Sequence, residues 1–204
     1  MTGRVKQTIH IISFVVSQIV NVPFVAGAAI TLLLFGVRPD VPQRILGWGV
    51  SLIFLTIIPA LSLLFYIPRR NEPWSSTEKR QRVMSFVFMA VSYPIGFVIL
   101  KILQVPAIFE AIMLTYVVVV LALILVNIFF KASGHAAGVA GPVSALIYFY
   151  GLIATPLIAL IPLTMWARVR SKGHTLSQTI IGALLSAAVT IAVLFLYGFR
   201  PGQL

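Results

Sequence analysis

The sequence predicts an all-α fold: a polytopic transmembrane helical bundle of six to seven membrane helices, forming a single integral membrane domain over residues 1–204. Three observations carry this. The chain is 60% hydrophobic. Only 9% of its residues are charged, against about 25% in a soluble domain, so a water-facing surface could not be covered. Apolar runs of about 20 residues, the length that crosses a bilayer, recur along the chain. They are continuous rather than alternating, which speaks against a transmembrane barrel.

The elements follow in order. A first helix is expected from Ile9 to Phe35, after the basic stretch Met1 to Lys6. Its apolar run is longer than a signal-peptide core, so it is read as retained. Asn21 and Pro23 interrupt it, as packed or kinked positions do. His10 has no partner in the pattern and reads as structural. After a turn from Gly36 to Pro42, a second helix is expected from Ile45 to Ile67, stopped by Pro68. The polar segment Arg69 to Arg82 places Trp74 as an interfacial anchor, with Ser76 or Thr77 capping a helix that starts near Glu78. The third helix is expected from Val83 to Leu103, with Pro94 and Gly96 inside, and the fourth from Pro106 to Phe130.

Lys131 to His135 is a short polar break. Gly134, Gly138 and Gly141 follow at a spacing that lets helices approach closely. The apolar stretch from Ala136 to Trp166 would make a helix about 46 Å long, too long for a bilayer core of about 30 Å. Gly151 and Pro156 divide it into two expected helices, Ala136 to Tyr150 and Ala154 to Ala167. The last helix is expected from Thr175 to Tyr197.

With that division the chain crosses seven times, and three loops share a side with the amino terminus: Arg69 to Arg82, Lys131 to His135, and Arg168 to His174. The shared side holds Arg4, Lys6, Arg69, Arg70, Lys79, Arg80, Arg82, Lys131, Arg168, Arg170 and Lys172. The other side holds Arg38, Arg44, Lys101 and Arg200. The positive-inside rule then places the three loops in the cytoplasm of a protein in the cell membrane.

The net charge of +11 fits basic loops facing anionic headgroups better than nucleic acid, which is not expected as a partner. No cysteine is present, which excludes thiol catalysis, disulfides and Cys-ligated metals. The acids are Asp40, Glu72, Glu78 and Glu110 alone. A metal-dependent phosphatase needs several carboxylates, so phosphoryl chemistry here is expected to run without metal or other cofactor. Two of the three loops end in histidine, and all three carry or border arginine or lysine. Arginine clusters bind phosphate or carboxylate, and a histidine beside bound phosphate can serve as nucleophile or general acid. Arg170, Lys172, Arg69 and Arg70 read as topology and headgroup contacts. Lys131 reads equally as a phosphate ligand or a helix end. Gly134 with Gly138 reads equally as a packing motif or a phosphate cradle.

Ala-Arg168-x5-His174-x3-Gln178 resembles the third motif of the type 2 phosphatidic acid phosphatase superfamily, Ser-Arg-x5-His-x3-Asp. Ala132-Ser-Gly-His135 resembles its second motif, Pro-Ser-Gly-His. The nearest counterpart of the first motif is Glu78-Lys-Arg-Gln-Arg82, without the family's proline. The resemblance covers roughly residues 69–197 and is similar to a variant branch with glutamine after the nucleophile histidine. It implies a membrane phosphatase acting on a lipid phosphate or pyrophosphate, of isoprenoid-carrier or phosphatidate type. His174 would form a phosphohistidine, and His135 would protonate the leaving alkoxide. Arg168, Arg80, Arg82, Lys131, Ser133 and Gly134 would hold the phosphoryl oxygens, with Gln178 orienting the nucleophile in place of aspartate. A lipid phosphotransferase on the same scaffold, or an inactive lipid-binding or transport protein, are the alternative expectations. The partners expected are the membrane lipid substrate and the bilayer itself.

Overall fold

The computed structural model describes residues 22–36, 41–67, 74–171 and 173–204. The expected first half of helix 1 with His10 and Asn21, the basic residues Arg4 and Lys6, Asp40, Arg69, Arg70, Glu72 and Lys172 lie outside the described residues. Every regular element among the described residues is helical.

Helix α1 (Val22–Gly36) is followed by α2 (Val41–Leu52), which continues through a π turn (Ile53–Ile57), a short α turn (Ile58–Ala60) and a 3-10 end (Leu61–Tyr66). Then come α3 (Trp74–Ile102), α4 (Ala107–Phe129), α5 (Gly134–Tyr150), a 3-10 stretch (Gly151–Ala159), α6 (Leu160–Arg170) and α7 (Leu176–Leu196). Among the described residues, five stretches are long and apolar enough to cross a membrane: Val41–Phe65, Lys79–Ile102, Ala107–Phe129, Gly134–Arg170 and Leu176–Leu196. Helix α1 is apolar but shorter. The chain is thus a helical bundle with the character of an integral membrane protein.

Two expectations are corrected. Helix α3 begins at Trp74, two turns earlier than the apolar run, so Ser76 and Thr77 lie inside it rather than capping it. Residues 76–82 are polar but good helix formers. Hydropathy marks where a helix enters lipid, not where its hydrogen bonds begin. The second helix is not uniform either. Pro59 has no N–H and would clash with a carbonyl one turn back, and the backbone widens into a π turn ahead of it. Within that turn the Ile58 N–H reaches Ile53 O, and the next i+5 position, opposite Phe54 O, is the proline. The Ser92 hydroxyl on α3 donates to Phe54 O instead. Ser92→Ala should therefore strand a buried carbonyl and lower stability by about 1–3 kcal/mol, measured as detergent-solubilised thermal or denaturant unfolding; an unchanged midpoint would refute this account.

The long stretch after His135 doubles back at its middle. Gly151 ends α5 with φ 60°, a left-handed conformation that glycine adopts without steric cost. The returning segment packs antiparallel on α5. Val139 and Val143 meet Leu157, Leu160 and Ile161, and Ala136 and Ala140 meet Ile161 and Met165. The two ends of the stretch then meet, with Lys131 Nζ donating to Gly173 O at 3.0 Å. Gly151 marks the turn, as expected, but the return limb is 3-10 from Gly151 to Ala159 around Pro156 and becomes α-helical only at Leu160, not at Ala154.

Helix α7 runs parallel to α5, and their small faces (Ala136, Ala140, Gly141 against Ala183 and Ser186) let the backbones approach closely. At the end away from the basic loops, Lys101 and Glu110 pair at 2.6 Å, and the Tyr148 hydroxyl donates to Phe199 O at 2.7 Å. Helix α1 joins α2 through Trp48 Nε1 to Thr31 Oγ1 at 3.1 Å.

Candidate functional site

Ser133 sets the first side of the site. Its extended backbone and its hydroxyl, which accepts the Ala136 N–H at 3.3 Å, start α5. Its own N–H donates to the Gln178 main-chain oxygen at 3.0 Å, which ties this turn to α7. The fit is tight, because a Cβ at Gly182 would collide with the Ser133 carbonyl. Ser133 is fully buried and does not line the cavity described below. Its side chain is therefore a cap, and the amides left for a ligand at this helix start are those of Gly134 and His135.

The second side is the loop after α6. The Arg168 carbonyl accepts from Gly173 N at 3.1 Å, His174 N at 3.3 Å and Ser171 Oγ at 3.2 Å, which curls the loop over the end of its own helix. Helix α7 then opens with a capping box. Thr175 Oγ1 accepts from Gln178 N at 3.3 Å, and Gln178 Oε1 accepts from Thr175 N at 3.1 Å. The same Oε1 lies 3.3 Å from His174 Nδ1. Because Oε1 receives the Thr175 N–H, it is the carbonyl oxygen, so in the tautomer with the proton on His174 Nδ1 that N–H donates to Oε1 and Nε2 keeps its lone pair.

Burial pushes His174 down to about 4, helped by the charges of Arg168 and Lys131; the Gln178 and Lys131 carbonyl oxygens oppose that shift without reversing it. The ring is therefore neutral at physiological pH, the form a nucleophile requires.

These loops meet at one end of a cavity of about 480 Å³. Arg82, Lys131, His135, Arg168 and His174 line that end, together with Gly134 and Gly173. Among the described residues no acidic side chain lines the cavity, so the charge they bring to it is cationic. Away from the basic end the walls are mostly apolar, with Phe86, Met89, Leu33, Ile112 and Val120 among them and the hydroxyl residues Thr115, Ser186 and Thr190 between. Tyr93 and Tyr116 lie in this apolar part, ring centroids 5.4 Å apart. Such a shape suits an amphiphile with an anionic head.

Of the residues expected from sequence, Arg82, Lys131, Gly134, His135, Arg168 and His174 come together at the cavity. Gln178 stands behind His174. Arg80 does not line the cavity; its Nη2 donates to Phe65 O at 3.1 Å and Ile67 O at 2.8 Å, closing the 3-10 end of the preceding segment. Two residues apart on a helix, Arg80 and Arg82 point to different sides. Lys131 follows the end of α4, lines the cavity and donates to Gly173 O. Among the described residues no three His, Asp or Glu side chains come together. Phe86, Met89 and Tyr93 were not anticipated. They share one face of α3 with Arg82 at i+4, i+7 and i+11, but Val83, Val87 and Ala90 are spaced as regularly, so the sequence did not single them out.

The chain matches no protein-family model, no curated protein and no solved structure.

Proposed function

We propose that the protein is a metal-independent membrane phosphatase that removes phosphate from a lipid phosphate or pyrophosphate through a phosphohistidine. The observation that carries this is the cavity itself: a cationic end bearing His135, Arg168 and His174 opens into an apolar interior. In this reading the phosphoryl oxygens lie among Arg168, Arg82, Lys131 and the first amides of α5. His174 Nε2 attacks phosphorus in line, the bond from phosphorus to the lipid oxygen breaks, and His135 gives its proton to that oxygen. Water then displaces phosphate from His174, with His135 taking up the proton.

Counting α1 and the two limbs around Gly151, the chain makes seven crossings, and the basic loops face the cytoplasm by the positive-inside rule. The test is phosphate release by purified protein from a lipid phosphate in excess chelator. Release should persist at an undiminished rate. Loss of release on chelation, with the fold intact, would sink the metal-independent reading.

A further inference from the structure

The site needs a route for its substrate. A long-chain amphiphile cannot come from water without exposing its chain, and its anionic head cannot cross the apolar spans. The path of lowest cost keeps the chain in lipid and the head level with the basic loops. The wall between α3 and α4 offers such a path. These helices form a hairpin, joined at the far end by the turn before Ala107. On the hairpin's outer side, at the basic end, lies an apolar groove of about 380 Å³ lined by Val83, Val87, Ile124 and Ile128, all exposed. Phe86 and Asn127 line this groove and also line the central cavity. The partition between the two spaces is therefore a single layer of side chains.

Phe86 stands one turn below Arg82 on the same face of α3. The tip of its ring is 3.6 Å from where a Cβ on Gly134 would be. One side chain thus borders the groove, the cavity and the turn that begins α5. The Asn127 amide donates to Leu123 O at 2.7 Å, which leaves that side chain lying along its own helix.

We propose that this groove is the portal and tail site for a single hydrocarbon chain of a lipid phosphate, entered between Phe86 and Asn127 while the head reaches Arg82 and the cationic end. The assignment of the head rests on the phosphatase reading. The groove's occupant rests on its apolar lining, its continuity with the cavity and the arginine at its upper end.

The test uses the full chain in phosphatidylcholine vesicles with two photoreactive probes, hexadecyl phosphate and hexadecanol, each carrying a diazirine near the chain end. The phosphate probe should label the α3 and α4 groove residues about tenfold more than the alcohol, because the cationic end concentrates the anion. Excess inorganic phosphate should remove that difference. Equal labelling by both probes would mean ordinary bilayer contact and would overturn the portal, as would preferential labelling on other helices. Phe86→Trp should lower the ratio of kcat/KM for hexadecyl phosphate over methyl phosphate by about tenfold, and Phe86→Ala should raise it; unchanged ratios in both variants would also overturn it. If the native protein hydrolyses neither substrate, the phosphatase reading fails while the labelling still decides the groove.

Discussion

His174→Ala should reduce phosphate release from a lipid phosphate by about four orders of magnitude or more, because in the proposed mechanism the residue both forms and carries the covalent intermediate. The loss should leave the protein folded. His174 is half-buried in a loop, and the capping box of Thr175 and Gln178 that starts α7 does not use its ring. Thermal unfolding in detergent should move by no more than about 1 kcal/mol equivalent. A labelled lipid phosphate should leave acid-labile, base-stable radioactivity on the native protein and none on the variant. Full activity in a folded His174→Ala protein would end the phosphohistidine mechanism.

Arg168→Ala is the second large effect, and it should act twice. The guanidinium lies against the loop, with Nη2 2.8 Å from where a Gly173 Cβ would be, and it lines the cationic end. Removing a donor that meets developing charge costs on the order of 10²–10³ in kcat. The pH profile should move as well. His174 is active when neutral, and its value of about 4 places the acid limb of kcat/KM well below that of an ordinary histidine. Arg168 is one of the charges that hold it there, so the limb should shift to higher pH in the variant. The second ionisation of the substrate, near pH 6, is common to both proteins and cancels in the comparison. A rate loss with an unmoved acid limb would mean that Arg168 binds phosphate without setting the state of His174.

Gln178 shows how a family-like pattern and local structure can share one residue. Its place four residues after His174 puts both on one helix face, which spacing alone foretold. That its carbonyl also closes a capping box with Thr175 was equally written in the order Thr175-x-x-Gln178. Arg80 and Arg82 illustrate the reverse. Both are basic, both stand at the same membrane level, and nothing in their order says which enters the cavity. The 3-10 end at Phe65 and Ile67 decides it, because those carbonyls need a donor and Arg80 supplies one. Ser133 was expected only to hold a phosphoryl oxygen, but its N–H goes to the Gln178 main-chain oxygen. Its hydroxyl is buried as a cap by the tight approach of Gly182.

What the sequence by itself determined was whatever depends on neighbours along the chain. Apolar run lengths located the spans, Gly151 located the reversal, and the short interval from Arg168 to Gln178 kept an arginine, a histidine and a glutamine close along the chain. What only the tertiary structure decided was which side chains from α3, α5, α6 and α7 face one another across a lipid-embedded bundle. In lipid, all faces of an apolar helix look alike to hydropathy, so rotation about each axis is set by close contacts such as Gly182 on Ser133 rather than by an amphipathic stripe. That rotation is what turns Arg82, Phe86 and Tyr93 toward a cavity and leaves Val83 and Val87 facing the bilayer.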